Sequence, residues 1–363
     1  MTEVSTPTAV ATLFGVRRLG LIMAPDASNA LEAEGVLNPA SARDARNNLL
    51  LFPRLVAKGN YSRIGKAAVQ FDATGNPIGV GPRSIALAPE RSYEHNQSGK
   101  SGVEDPRITY VKPLRLYVMT YVALTANGPR IALAVSRTLA HWRRLGLIHF
   151  EHERGATLDL NRYDNKDGVI FPEVVRDPQG RSALAILHRL TADLPYQAGV
   201  ATEPAHGMPP SIWVSYVPLT RLRWRGVGAL TQVTQHTLIM GPGASWDNLK
   251  IGMGTPPIQT SFGWLALYHG IGLFEQQEGR FIYRAGAVIF DQDDPRKIVY
   301  RSPEPLLSPE TPEELRGTIE HVVFPTAIDP RENGRVDFYY GMADTRIGAA
   351  TMQLPATLPN AGT

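Results

Sequence analysis

Residues 130–146 read RIALAVSRTLAHWRRLG, a short apolar run that ends in a polar turn carrying Ser136, Leu139 and Trp142. Residues 116–124 (LYVMTYVAL) form a second run just upstream, rich in Val, Tyr and Thr. Runs of the same kind recur at 182–187 (SALAIL), 211–217 (SIWVSYV) and 337–340 (DFYY), and Gly and Pro fall between them at short intervals. Such runs are too short for ordinary helices and indicate strands of an all-β sandwich, barrel or propeller. Only residues 29–34 and 309–315 invite a helical turn or two.

Internal similarity narrows the architecture. Residues 211–226 (SIWVSYVPLTRLRWRG) place Ser215, Leu219 and Trp224 after an apolar strand, much as residues 130–146 place Ser136, Leu139 and Trp142. Residues 67–77 (AAVQFDATGNP) and 286–295 (GAVIFDQDDP) pair a strand with Asp and Pro. Strand-turn units separated by tens of residues suit radially repeated blades. A generic turn accounts for the Ser-Leu-Trp pattern equally well. No interdomain linker is visible, so residues 1–363 read as one domain, with a core at about 35–350 and short extensions. Residues 191–210 (TADLPYQAGVATEPAHGMPP) read as a surface loop.

The composition excludes several classes. A formal net charge of +3 is mild, and the basic residues are interleaved with acids, which argues against a nucleic-acid partner. No apolar stretch approaches the roughly 20 residues that span a bilayer. The first 20 residues lack the pattern of a signal peptide, and the chain has no cysteine. A cytoplasmic protein without membrane contact is expected.

Two groups of residues could carry chemistry. In residues 102–108 (GVEDPRI), Asp105 precedes a proline, which favours extended backbone. Glu104 and Asp105 should then point to opposite sides, one acting as an acid and the other pairing with Arg107. An acidic turn braced by Arg107 is the purely structural alternative. The second group is basic: Arg130, Arg143 and Arg144, Lys166, and the His188-Arg189 pair. If blade turns converge on a central channel, such cations could surround an oxyanion; singly, each reads as a solvated charge. His188, His236, His269 and His321 show no metal-ligand spacing, so no metal is expected.

Taken in order, 102–108 (GVEDPRI), 117–123 (YVMTYVA), 165–173 (NKDGVIFPE), 187–189 (LHR), 254–270 (GTPPIQTSFGWLALYHG), 283–295 (YRAGAVIFDQDDP) and 339–344 (YYGMAD) resemble glycoside hydrolase family 130. The resemblance runs from about Asn38 to Asp344. It implies a five-bladed β-propeller with its active site in the central cavity. It places the family's proton donor on Asp105 and its phosphate ligands on Arg130, Arg144, Lys166 and His188, with Arg144 matched through Trp142-x-Arg144-x-Gly146 and Arg143 as a rival. Mannosyl contacts fall on Asn38, Arg54 and Asp344. Thr138 stands where the family's turn has an acid, and residues 191–210 look like an insertion on the acceptor side.

The implied chemistry is inverting phosphorolysis of a β-1,2- or β-1,4-mannoside. It needs no organic cofactor, only inorganic phosphate as co-substrate. An inverting hydrolase uses an acid and a separate base for water, whereas phosphate arrives as an anion and has only to be held. A family hydrolase and a non-catalytic carbohydrate-binding propeller are the alternatives. Family members often assemble, so a homo-oligomer is a further expectation.

Overall fold

Twenty-four strands carry almost all of the regular structure in the computed structural model, which describes residues 9, 13–95, 102–153, 158–191, 209–243, 245–273 and 281–358. They form five antiparallel sheets arranged as the blades of a five-bladed propeller. In chain order the innermost strands are Gly35–Arg43, Val103–Val111, Asp164–Ile170, Lys250–Met253 and Val323–Pro330. Each blade then steps outward through hairpins. The second blade, for example, continues through Leu116–Thr125, Gly128–Ser136 and Arg143–Leu147. The run quoted first, residues 130–146, is thus the outer half of one blade.

The apolar residues are spent between blades, not on the axis. Five buried clusters each draw side chains from two neighbouring blades. Phe52 and Ile64 meet Met119, Tyr121 and Leu133's neighbours Ala132 and Ala134 in one of them. Leu265 and Leu267 meet Phe338 and Tyr340 in another. Because both faces of a blade are covered by its neighbours, strands such as Gly263–Leu273 are buried almost throughout and read as continuous apolar runs. The axis is left to polar groups.

The ring is closed by the start of the chain. Arg17–Met23 pairs antiparallel with Arg346–Gln353 and becomes the outer strand of the fifth blade. The propeller therefore begins before the expected core at about residue 35. On that strand Arg18 donates from Nε and NH2 to the two oxygens of Glu314, at 3.0 and 3.1 Å, and from NH1 to Glu310 at 2.7 Å. Glu314 is fully buried and also accepts from the Tyr340 hydroxyl at 2.8 Å.

The two expected repeats fare differently. Residues 67–77 and 286–295 occupy equivalent places, crossing from the third to the outer strand of blades one and four. Asp72 and Asp291 cap those turns in the same way, each accepting backbone N–H groups two or more residues ahead. The Ser-Leu-Trp pair is not a repeat: Ser136 to Trp142 is a turn, whereas Leu219–Arg225 is a helix that leaves Trp224 89% exposed. The two expected helical segments shrink to Ala30–Glu32 and Pro312–Leu315. Of the expected loop at 191–210, residues 192–208 lie outside the described residues.

Four of the five inner strands slip register at one point, between Leu37 and Ala40, Glu104 and Arg107, Lys166 and Val169, and Pro325 and Ala327. Each slip is a β-bulge, which re-aims side chains locally. Asn38, Asp105 and Asp167 stand at three of these bulges with φ of 43°, 45° and 55°. Asn and Asp tolerate this left-handed region better than other non-glycine residues.

Replacing Arg18 by Ala should strand the Glu314 carboxylate and cost about 2–3 kcal/mol. The check is a lower urea midpoint at unchanged slope. The exposed neighbour Arg17→Ala is the control and should shift stability by less than about 0.5 kcal/mol.

Candidate functional site

Asp105 sits at the bulge of the second inner strand. Its Oδ1 accepts from Asn38 Nδ2 at 3.0 Å and from Arg54 NH1 at 3.3 Å. Arg54 also donates from NH2 to Glu104 at 2.7 Å and to Asn60 at 3.0 Å, and from Nε to Ser62 at 2.8 Å. Glu104 and Asp105 therefore share one guanidinium, contrary to the expectation of opposite sides. The bulge is the reason: Asp105 leaves extended backbone despite the following proline, and the alternation of side chains is broken there. Asn38 is held in turn by the absence of a side chain at Gly341, where a Cβ would lie 2.2 Å from Asn38 Oδ1.

Asp344 faces the same group from the hairpin after Arg335–Met342, in left-handed backbone with φ 51°. Burial raises its pKa, opposed by Arg54 and reinforced by Asp105, to about 6. Burial acts on Asp105 in the same direction, but Arg54, Arg107 and Lys166 outweigh it and hold that carboxyl below its ordinary value. The two carboxyls thus titrate as a pair that keeps one proton up to about pH 6. Asn38, Arg54 and Asp344 are brought together with Asp105.

The expected anion ligands divide. Lys166 lies close enough for its charge to act on Asp105, Asp164 and Asp344, and its side chain makes no hydrogen bond or ion pair among the described residues. Arg130 donates to Asp164 at 3.2 Å, beside this group. Arg144 is elsewhere, in the outer strand of the second blade. It is spent on Glu94 at 2.8 Å, Glu90 at 2.6 Å and the Ala88 carbonyl. His188 is fully buried, with Nδ1 3.1 Å from Asn165 Oδ1, Nε2 2.9 Å from Ser215 Oγ and the Phe150 ring 4.8 Å away. Burial pushes its pKa well down, so it is neutral. The expectation that all four cations line one cavity with Asp105 fails for Arg144 and His188.

The neighbouring residue Arg189 lies on the side of the strand that faces the fourth blade instead. It is the direct register partner of Lys166, and strand alternation sends it to the side opposite His188. Its Nε donates to Asp167 at 2.5 Å. Asp167 also lies 4.0 Å from Arg107 and 3.6 Å from His269. Burial works against its charge, but Arg189, His269 and Arg107 hold it well below the ordinary carboxylate range. Burial pushes His269 down to about 3, and both its ring nitrogens lack a hydrogen-bond partner among the described residues. Gly252 makes room for this pair, since a Cβ there would lie 2.2 Å from Asp167 Oδ2.

Arg107 crosses the channel. It donates from Nε to the carbonyl of Gly254 in the fourth blade and from NH1 to the carbonyls of Asp105 and Pro106, at 2.9 and 3.2 Å. It does not brace Glu104. Sequence reasoning named Arg107 only as a brace for an acid, Arg189 only beside His188 in the basic group and His269 only as lacking metal-ligand spacing, and assigned none of them to the site. All three lie inside the quoted motifs, but their facing depends on bulges that the motifs do not announce. Among the described residues, no cluster of three or more His, Asp or Glu could hold a metal ion, and no helix is long and apolar enough to cross a membrane.

Comparison with known proteins finds relatives over nearly the full length. The model of the glycoside hydrolase family 130, described as β-1,4-mannooligosaccharide phosphorylase, matches residues 15–358. A 1,2-β-oligomannan phosphorylase of Thermoanaerobacter sp. (strain X514) is 29% identical over 338 residues, 92% of this chain and 95% of that protein. A β-1,4-mannooligosaccharide phosphorylase of Ruminococcus albus is 44% identical over 117 residues, 32% of this chain and 34% of that protein. The solved β-1,2-mannobiose phosphorylase from Listeria innocua shares the fold, with a TM-score of 0.67 at 20% identity over 92% of this chain and 94% of that one. With the family model matched from residue 15 to residue 358, this chain belongs to glycoside hydrolase family 130.

Proposed function

We propose that the chain catalyses reversible, inverting phosphorolysis of β-1,2- or β-1,4-linked mannosides, releasing α-mannose 1-phosphate and a shortened sugar. The observation that carries this reading is Lys166, whose charge reaches Asp105 and Asp344 while its side chain has no ion-pair partner among the described residues, with Arg189 as its register partner on the next strand. The relatives' names point to the same reaction.

In this reading Asn38, Arg54 and Asp344 hold the mannosyl unit, and Lys166 and Arg189 hold phosphate on the face opposite the leaving oxygen. Arg107 adds charge from below. A phosphate oxygen attacks the anomeric carbon as the glycosidic bond breaks, and Asp105 supplies a proton to the leaving oxygen, directly or through a sugar hydroxyl. Hydrogen phosphate loses its own proton on becoming the sugar-phosphate dianion, so protons balance over the cycle. Loading the acid follows from the same electrostatics. Of the cations that depress Asp105, Lys166 and Arg107 are the ones phosphate would neutralise, while Arg54 stays with the sugar, so the arrival of phosphate raises the affinity of Asp105 for a proton in part. A charged sugar phosphate is retained by membranes, which suits a cytoplasmic enzyme.

Hydrolysis is the second reading, and Asp344 favours it: a carboxyl raised to about 6 could serve as a base for water. Phosphate dependence separates the two. Phosphorolysis should saturate with phosphate and put it on the sugar, whereas free mannose formed at full rate in phosphate-free buffer would establish the hydrolase.

Asp105→Asn should lower turnover about 10²–10⁴-fold in both directions, with folding checked by circular dichroism. Lys166→Ala and Arg189→Ala should each raise the phosphate KM by roughly 10–100-fold, the worth of a charge-assisted contact, and leave the mannoside KM within a few-fold. Arg144→Ala should lose stability but keep the phosphate KM, because its guanidinium is committed to Glu94 and Glu90.

The pH profile gives a further check. At low phosphate, kcat/KM for the mannoside should fall as pH rises through about 6, where the Asp105/Asp344 pair loses its proton. Saturating phosphate should move that limb upward. Asp344→Asn should move it downward, because it removes the negative neighbour that favours protonation.

A further inference from the structure

A second cavity, of about 460 Å³, opens between the second and third blades at the end where inner strands begin. Its walls include Tyr93, Asn127, Arg130, Ile131, Leu147 and His149. Arg130 is its one formally charged wall residue among those described, and that charge is matched by Asp164 at 3.2 Å. An anion gains little in such a place. The remaining walls are amphipathic: the Tyr93 ring, Ile131 and Leu147 offer apolar faces. The side chains of Asn127 and His149 offer hydrogen-bonding groups that are unused among the described residues. Aromatic and aliphatic faces beside neutral hydrogen-bonding groups are the complement of a sugar ring.

Its position relative to Asp105 is set by strand register. Val103, two residues before Asp105, pairs with Ala123, which pairs with Arg130. The cavity wall therefore stands two strand spacings, roughly 10 Å, from the strand of the acid. Asp164, the partner of Arg130, is two residues from Lys166 on the same strand. Gly128 keeps the tip of the intervening hairpin close, since a Cβ there would lie 2.2 Å from Asp164 Oδ1. A saccharide seated at Asp105 and running outward across the second blade would reach this cavity after more than one sugar residue.

We propose that the cavity binds the part of the leaving saccharide farthest from the cleaved bond, so that the protein prefers manno-oligosaccharides longer than a disaccharide. This rests on the mannoside reading of the central site. The test uses the full chain and the double variant Asn127→Ala/His149→Ala, both exposed positions with no structural partner among the described residues. With phosphate present, kcat/KM for a β-linked mannotetraose should fall about tenfold, the worth of two neutral hydrogen bonds, while that for mannobiose stays within twofold. Equal loss on both substrates, or loss on neither, overturns the proposal. Calorimetric titration of wild type and double variant with mannotriose keeps the cavity separate from the chemistry. If wild type cleaves no β-mannoside, the central reading fails. Weaker mannotriose binding by the double variant would still support the cavity, and equal binding would reject it.

Discussion

Arg107 is the constraint around which the site is built. Its guanidinium is almost wholly buried, on an axis that the apolar clusters leave empty. Such a charge persists only if its donors are met, and here they are met by backbone. The carbonyls of Asp105 and Pro106 on its own strand and of Gly254 on the fourth blade take three of its hydrogen bonds. Among the described residues NH2 has no hydrogen-bond partner, and it lies 4.0 Å from Asp167 on the third blade. One side chain thereby links three blades across the channel and fixes the carbonyl of the proposed acid. Removing it would leave Asp167 with one fewer compensating charge and Asp105 with no anchor beneath it.

The bulges explain how a propeller strand can present two acids to one partner. In regular extended backbone Glu104 and Asp105 would face opposite blades. With φ of 45° at Asp105, the strand turns its second acid toward Arg54 as well. The same device acts at Asn38, also before a proline, and at Asp167, before a glycine. Three inner strands thus aim a polar group at the axis at the point where each ladder slips. Inter-blade bonds pin the slips in place: Thr326 donates to the Pro39 carbonyl at 2.7 Å, and Thr120 to that of Gly168. Left-handed backbone before proline is unfavourable locally, and these ties from neighbouring blades oppose its relaxation.

The strand pattern and the blade architecture were legible because apolar runs of strand length alternate with turn residues. Asp105, Asn38, Arg54, Asp344 and Lys166 were legible through motifs whose order resembles a known family. Facing was not. His188 and Arg189 are adjacent, and only the register that sets Lys166 opposite Arg189 decides which one shares a face with Lys166 and meets Asp167. Arg144 illustrates a different limit. Its match rested on a tryptophan and a glycine nearby, but Glu94, fifty residues upstream, claims the guanidinium. That partner is visible only when the blade is assembled. The Ser-Leu-Trp similarity misled for a related reason, since Leu219–Arg225 continues as a helix where residues 139–142 turn.

The electrostatics of the site join these threads. A general acid must hold a proton when the substrate is bound, yet Asp105, the acid proposed above, is surrounded by cations that lower its affinity for one. An uncharged pocket would solve that problem and lose the means of holding phosphate. Here the cations are shared. While the anion site is open, Arg54, Arg107 and Lys166 act on Asp105, and the remaining proton favours Asp344, raised to about 6 by burial. In the proposed mechanism a doubly charged anion against Lys166 cancels that part of the field at Asp105 while Arg54 stays in place, and the shared proton shifts toward Asp105. On this proposal the acid holds its proton more readily when the nucleophile is present. A water molecule brings no charge and cannot produce that shift. In these electrostatics lies a physical reason for such a pocket to favour transfer to phosphate over transfer to solvent.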